Sequence, residues 1–450
     1  MLKVNSKKIE PGDTFIAIRS SLRDGHDYIK DAIDRGAACV IAEEGQYDVK
    51  TVIVPDTRVY LSEYLKDLNH NKLNDLKLIG ITGTNGKTTS CYFIYQLLNN
   101  LGVNCAYIGT IGFYLNDEHR NLSNTTPDLY DLYDMIVEAY DCGCRVVVME
   151  VSSHALVNRR VLGLEFDITG FTNLTQDHLD YHGTMAEYEK AKLKLFDNLK
   201  HDGYAIINID DSYGKDFILK RNKNILFGRG NSNYKISDIT LSDNFSTFKV
   251  NYRMREVDVK LPVPGIYNIY NYMYAFITCD ILDFDMDLVI EKTLDLTSPI
   301  GRYQVVKNDK FSVIIDYAHT PDAVYNIIKS VKEYASARVI TLIGCGGDRD
   351  ATKRPIMGKA ATDNSDYVVF TSDNPRSENP RLILEDIVFG LEKDNFEIIE
   401  DRKEAIKKAI SLLKKNDILL VLGKGHEDYQ IIGTEKIHLS DFEEVNKYIK

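Results

Sequence analysis

A glycine-rich run, TGTNGKTT from Thr82 to Thr89, constrains this chain more than any other segment. It follows a strand-like apolar stretch (Leu76, Leu78, Ile79, Ile81) and opens a helix-like stretch from Thr88 to Leu101. A glycine turn between strand and helix aims several backbone N–H groups at one point, and the helix N-terminus adds partial positive charge there. Lys87 would reach the outer phosphates of a nucleoside triphosphate, and Thr88 would offer a hydroxyl to Mg²⁺. Ile81 stands where the strict phosphate-loop pattern has its first glycine, with Gly80 and Gly83 nearby. The alternative is a surface turn that happens to contain Gly-Lys-Thr.

Composition excludes several classes. A formal net charge of −12 argues against non-specific nucleic-acid binding. No apolar run approaches the roughly 20 residues of a membrane span, so no integral membrane contact is expected. The opening MLKVNSKKIEPGD lacks the apolar core of a signal peptide, so a cytoplasmic location is expected. The seven cysteines form no secreted framework. Cys142 and Cys144 have no second pair at zinc spacing, and idle thiols are the better reading.

The 450 residues suffice for about three domains of ordinary size. Residues 1–74 carry short strand signals (Thr14–Ile18, Cys39–Ala42, Thr51–Val54) around a helical stretch, Asp27–Arg35. The polar stretch His70–Asp75 reads as a linker. Residues 75–298 alternate strands and helices, with near-continuous apolar strands at Arg145–Met149, Asp167–Phe171 and Tyr204–Asn208, as in a parallel sheet covered on both faces. From about Asn233 to Val263 the pattern becomes two-residue alternation, an antiparallel insert or edge. Residues 299–450 repeat the alternation, with strands at Phe311–Ile315, Val339–Ile343, Tyr367–Thr371 and Ile418–Leu422, which predicts a second doubly wound unit. The expected fold class is therefore α/β in three domains: a small N-terminal α/β domain, a central phosphate-loop ATPase-like parallel sheet and a C-terminal Rossmann-like domain.

Polar motifs fall at the carboxyl ends of these strands, where doubly wound sheets bind ligands. Glu150 ends one strand and would complete an Mg²⁺ site with Thr88; alternatively this segment simply supplies Ser152 or Ser153 as a helix N-cap. NLTQDHLDYHG, Asn173–Gly183, holds two histidines and two aspartates. Zinc through His178 and His182 is conceivable, but a second Mg²⁺ site using His178 is preferred. Lys190, Lys192 and Lys194 read on their own as a solvated basic face.

Eight ordered motifs carry a resemblance: TGTNGKTT, MEVSSHAL, NLTQDHLDYHG, PGIYNIYN (Pro264–Asn271), DYAHTPD (Asp316–Asp322), GCGGDRD (Gly344–Asp350), DNPR (Asp373–Arg376) and GKGHEDYQ (Gly423–Gln430). On these, nearly the whole chain resembles the Mur ligase family. The resemblance implies a monomeric ATP- and Mg²⁺-dependent enzyme that adds meso-diaminopimelate to UDP-N-acetylmuramoyl-L-alanyl-D-glutamate in peptidoglycan precursor synthesis. ATP would phosphorylate the glutamate γ-carboxylate, and the incoming amine would attack the acyl phosphate.

The resemblance also implies roles. Gly83, Thr84, Asn85, Gly86, Lys87, Thr88 and Thr89 would bind ATP phosphates. Thr88, Glu150, His178 and a carbamylated Lys192 would hold metal, and Lys87, Glu150, His178 and Lys192 would be catalytic. Asn268 and Asn271 would contact adenine, and Arg302 and Asp316 would complete the nucleotide contacts. Ser6, Thr125, Thr126, Ser152, Asn158 and Arg160 would meet the UDP-sugar dipeptide. Arg349, Asp373, Asn374, Pro375, Arg376, Gly423 and Glu427 would form the amino-acid pocket, Arg376 pairing with the distal carboxylate and Glu427 facing the distal ammonium. An alternative for Arg376 is a surface ion pair with Glu378. At the uridine site this chain has Asn5, Ser6 and Lys7 where the family has Asp-Ser-Arg, and Asn158 replaces a glutamine. The competing functions are a Mur-type amide ligase with another acceptor or L-lysine, and a non-catalytic nucleotide-binding protein.

Overall fold

The computed structural model describes residues 1–19, 23–220 and 223–449. The chain divides into two compact units, Met1–Gly80, Val103–Thr169 and Ala191–Gly203 in the first, Ile81–Gly102, Gly170–Lys190 and Tyr204–Lys450 in the second.

The first unit opens with a four-stranded parallel sheet, Leu2–Lys3, Thr14–Ile16, Cys39–Ala42 and Lys50–Ile53, in that order. Phe15, Ala17, Ile29, Ala32 and Val40 form its core. The helical stretch expected over Asp27–Arg35 is a 3₁₀ turn, Gly25–Tyr28, running into an α-helix, Ile29–Asp34. Asp56 caps the helix Thr57–Leu68 by accepting from the N–H groups of Arg58 and Val59. The expected linker His70–Asp75 is instead a further short helix; its polar sequence carries no apolar stripe, and its side chains stay unburied. Farther along, Cys105–Gly109 pairs in parallel with Val146–Glu150, both fully buried strands. Two antiparallel neighbours, Gly112–Leu115 and Glu118–Arg120, finish that edge.

In the second unit the helix Lys87–Asn100 packs on the helix Ile266–Ile281. The strand Lys223–Gly228 runs parallel to the end of Leu199–Asn208. Tyr234–Leu241, Ser246–Tyr252 and Arg255–Leu261 then pair antiparallel, as the two-residue alternation requires. A six-stranded sheet follows in the order Gln304–Lys307, Ser312–Asp316, Ile418–Leu422, Val339–Ile343, Tyr367–Phe370, Phe396–Ile398. Its first pair is antiparallel and the rest are parallel.

Alternation along those strands divides the core in two. Ile314, Val339, Val368 and Leu420 pack with Val324, Ile328 and Met357 on one face. Val313, Ile340, Val369 and Leu419 pack with Ala405, Ile406 and Val445 on the other. Successive strand residues point to opposite faces, so a strand apolar at every position needs helices on both sides. The sheet is thus doubly wound, and its loops gather at the carboxyl ends of Asp316, Ile343, Phe370 and Leu422. Among the described residues, no helix is long and apolar enough to cross a membrane.

Candidate active site

The phosphate loop lies in the second unit and is shaped by backbone. Gly83 and Gly86 have φ of +151° and +85°. A Cβ on Gly83 would overlap Thr172 Oγ1, and one on Gly86 would overlap Asn271 Oδ1. The turn is therefore made by Gly83 and Gly86, and Ile81 is free to be a fully buried strand residue. Thr172 Oγ1 donates to the Asn85 carbonyl at 2.7 Å, and the Asn85 N–H donates to Asn173 Oδ1 at 2.9 Å. Lys87 folds back and donates to the carbonyls of Gly83 and Thr84, each at 2.9 Å. Thr84 is buried in the loop, and Thr88 and Thr89 are buried at the start of the helix.

Beside the loop is a cavity of about 400 Å³ lined by Asn85, Gly86, Thr89, Asn268, Asn271, Arg302 and Asp316. The two asparagines are oriented by their own surroundings: Asn268 Nδ2 donates to the Pro264 carbonyl at 2.6 Å, and Ser90 donates to Asn271 Oδ1 at 3.3 Å. Arg302 reaches Thr88 Oγ1 at 3.4 Å and stacks 4.2 Å above the Tyr317 ring. Its buried Nε has no hydrogen-bond partner among the described residues. Asp316 accepts from the N–H groups of Tyr303 and Ala318 at 2.7 and 2.8 Å. Burial pushes its carboxyl above the ordinary range, with Arg302 and the two N–H groups opposing. Tyr267, Tyr270 and Asp210 also line this cavity. Sequence reasoning missed them, although both tyrosines sit beside the asparagines in PGIYNIYN.

A second cavity of this unit, about 210 Å³, lies at the carboxyl ends of the six-stranded sheet. It is lined by His178, Arg349, Asp373, Asn374, Arg376, Gly423 and Glu427, with Asp177, His319, Lys353 and Tyr317. Pro375, between two lining residues, is buried. Arg376 sits at φ +52°. Its N–H bonds the Ile431 carbonyl at 3.0 Å, and its guanidinium donates to the Gly347 carbonyl at 2.6 Å. Glu378 pairs with Arg354 at 2.8 Å, so the alternative Arg376–Glu378 surface pair is not what forms. Asn374 Nδ2 donates to Glu427 Oε2 at 2.8 Å. Asp177 lies 3.4 Å from His178, 3.7 Å from His319 and 3.9 Å from Lys353. Burial alone would raise its pKa, but the His319 hydrogen bond and the charges of His319, His178 and Lys353 outweigh that and hold it far below the ordinary range. Asp177 lies in the histidine- and aspartate-rich motif Asn173–Gly183, but its pairing with His319 and Lys353 had no local sequence signal, because those partners come from distant segments.

In the first unit Glu150 ends its strand fully buried. It accepts from Tyr107 Oη at 2.6 Å, the Thr110 N–H at 2.7 Å and Thr110 Oγ1 at 3.1 Å. Ser152 caps the next helix by accepting from the Ala155 N–H at 3.2 Å, so the capping reading holds for Ser152, and Glu150 takes no part in it. The predicted dipeptide residues gather here. Thr125 and Thr110 share a hydroxyl contact at 3.0 Å, Thr126 Oγ1 donates to the Glu150 carbonyl at 2.8 Å, and Arg160 donates to the Thr126 carbonyl at 2.9 Å. Asn158 instead turns back onto the His154 carbonyl at 2.8 Å.

Ser6 lies apart from that cluster, in a cavity of about 430 Å³ that also has Asn5, Lys7, Arg58 and Asp128 in its wall. Arg58 grips Asp128 at 2.6 and 3.4 Å. Lys192 is 1% exposed, so the solvated-face reading fails for it, whereas Lys190 does lie at the surface paired with Glu187.

Among the described residues no three His, Cys, Asp or Glu side chains cluster as a ready-made metal site. The expected donors are of another kind: a buried threonine hydroxyl, a buried carboxylate and an imidazole. Mg²⁺ takes hard oxygen ligands and completes its shell with water and substrate phosphate, so the hydroxyl of Thr88 in the second unit and the carboxylate of Glu150 in the first are each of a kind it takes, whereas the imidazole nitrogen of His178 is not a hard oxygen.

Three family models match in chain order: the Mur ligase family catalytic domain over residues 1–78, the Mur ligase middle domain over 81–279 and the Mur ligase glutamate ligase domain over 301–425. This chain is a Mur ligase. A UDP-N-acetylmuramoyl-L-alanyl-D-glutamate–2,6-diaminopimelate ligase of Clostridium perfringens is 42% identical, over 99% of this chain and 93% of the relative. A solved structure of a UDP-N-acetylmuramoyl-L-alanyl-D-glutamate–2,6-diaminopimelate ligase is 32% identical with a TM-score of 0.73, covering 100% of this chain and 94% of that one. The MurF ligase of Thermotoga maritima in complex with ADP has a TM-score of 0.68 over 94% of each chain; at 18% identity it speaks to fold alone. As a Mur ligase this chain is α/β with parallel sheets in its N-terminal, central and C-terminal regions, as the sequence predicted.

Proposed function

We propose that this Mur ligase uses ATP to join meso-diaminopimelate to the D-glutamate of UDP-N-acetylmuramoyl-L-alanyl-D-glutamate. The observation that carries the reading is Arg376, turned toward the cavity that also holds Asn374 and Glu427 rather than paired with Glu378. A guanidinium there suits a distal carboxylate, and Glu427 suits the ammonium beside it. The names of the full-length relatives support the same substrates.

The chemistry follows from the groups present. A carboxylate is a poor electrophile, so the γ-carboxylate first takes the terminal phosphoryl group of ATP. The amine of the incoming amino acid then attacks that acyl carbon, and phosphate leaves. Gly83 to Thr89 would hold the phosphates on backbone N–H groups, and Lys87 would leave its two carbonyl contacts to neutralise charge on the transferring group. Asn268, Asn271, Arg302 and Asp316 would hold the nucleoside end.

Thr88, Glu150, His178 and a carbamylated Lys192 would hold Mg²⁺, whose charge would offset that of the phosphoryl oxygens. Carbamylation suits Lys192: it converts a buried cation, costly in a dry site, into an oxygen ligand. Thr125, Thr126, Ser152, Asn158 and Arg160 would meet the dipeptide, and Ser6 the uridine end. Arg349, Asp373, Pro375 and Gly423 would complete the amino-acid pocket. A three-domain division at 1–74, 75–298 and 299–450, a monomeric state and a cytoplasmic location belong to the same proposal.

The test is phosphate release from ATP and Mg²⁺ with the UDP-linked dipeptide, adding meso-diaminopimelate or L-lysine separately. Release only with diaminopimelate is expected. Release with L-lysine alone would overturn the pocket assignment. No release with either would move the acceptor away from this dipeptide and point to Asn5 and Lys7.

A further inference from the structure

Lys424 is a lysine whose side chain is 0% exposed. Its ammonium meets Glu427 Oε2 at 3.4 Å, Asn374 Oδ1 at 3.5 Å and the Tyr429 carbonyl, with the Tyr429 ring 5.5 Å away. Three donors thus face three acceptors. A buried ammonium is tolerated only when paired and hydrogen-bonded in this way. The turn that carries it inward has glycines in the left-handed region on both sides, Gly423 at φ +109° and Gly425 at φ +54°.

This cation sits behind the cavity wall, not on it. Asn374 Oδ1 accepts from Lys424 and from the Ile431 N–H at 2.9 Å, which leaves Asn374 Nδ2 to hold Glu427 at 2.8 Å. Lys424 therefore both fixes the amide and offsets the carboxylate of Glu427. Carboxylates outnumber Arg349, Lys353 and Arg376 around the cavity, so an unbalanced Glu427 would favour any ligand that brings only a positive charge.

We propose that Lys424 is a positioning residue that sets the amino-acid selectivity of this site: its buried positive charge, held behind the cavity wall beside Glu427, disfavours a substrate whose distal end is a lone ammonium. A distal end carrying both ammonium and carboxylate has no net charge and is not penalised. The inference rests on the function proposed above.

The experiment compares kcat/KM for meso-diaminopimelate and for L-lysine in the full-length enzyme and in Lys424→Met. The preference for diaminopimelate is expected to fall about tenfold, as removal of one charge within a few ångströms of the binding region implies. Equal losses on both substrates, with the preference unchanged, would mean a purely structural lysine and would overturn the proposal. Removing a buried cation can unfold a domain, so the same comparison is made between Glu427→Gln and Lys424→Met/Glu427→Gln, in which both members of the pair are neutral. A tenfold lower preference in the double variant supports the proposal, and equal preferences overturn it. Failure of the underlying function shows separately: the wild-type enzyme would then turn over neither amino acid, or would prefer L-lysine.

Discussion

The phosphate loop and the cavity at the carboxyl ends of the six-stranded sheet lie in the same compact unit but are built from different materials. The loop is shaped by two glycines that exclude any Cβ, and its Thr84 and Asn85 N–H groups are held by Asn173. The cavity is shaped by side chains from five segments, Asp177–Asp180, Tyr317–His319, Gly344–Lys353, Asp373–Arg376 and Gly423–Tyr429. A backbone site depends on conformation and tolerates no added carbon. A side-chain site depends on charge and can be retuned by single substitutions.

Four measurements would break or sharpen that contrast. The largest effect is expected for Lys87→Ala, the loop side chain proposed to meet the transferring group. Turnover should fall by about 10³-fold or more, and a variant retaining near-normal phosphate release would remove the loop from the reaction. Next is Arg402→Met. Arg402 and Asp441 form an ion pair with neither side chain exposed, and Arg402 also bonds the carbonyls of Ser372 and Leu422, next to Asp373 and Gly423. Loss of one partner should destabilise the protein by about 3–5 kcal/mol, read from the urea midpoint. A midpoint unmoved by the change would mean that the cavity does not depend on this clamp.

Arg376→Lys should raise KM for diaminopimelate about 10- to 100-fold while kcat changes less, because an ammonium cannot make the paired contact of a guanidinium. Equal kinetics would show that charge alone suffices. The smallest effect concerns His426, which burial, then the charges of Arg302 and Lys424, hold down at about 3. An unfolded histidine titrates near 6.5. Between those values the unfolded chain binds the extra proton, so stability falls as pH drops from about 6.5 toward 3. His426→Asn should flatten that part of a urea-midpoint-against-pH curve, and an unchanged slope would assign the acid sensitivity elsewhere.

The contrast also explains what could be read from the sequence. The strands Val339–Ile343 and Ile418–Leu422 were legible to the residue, since nearly every position is apolar and both faces are covered. The loop was legible because glycine spacing is local. His70–Asp75 was not, because a short helix without an apolar stripe leaves no periodic signal. Lys192 looked like a surface residue among three lysines and is buried. His319 and Lys353 gain their meaning from Asp177, more than a hundred residues away in the chain, and no local pattern announces that. Asn158 was expected to meet the dipeptide in place of a glutamine, yet its amide donates to the His154 carbonyl of its own helix.

Tyr317 lies in the walls of both the cavity beside the phosphate loop and the cavity at the carboxyl ends of the six-stranded sheet, with Arg302 against its ring. The chain contains no tryptophan. A single indole placed at that position would keep an aromatic face for the guanidinium and be the sole indole fluorophore in the molecule. Its emission would register the filling of either chamber, so one optical probe could follow the order in which the two ligands arrive.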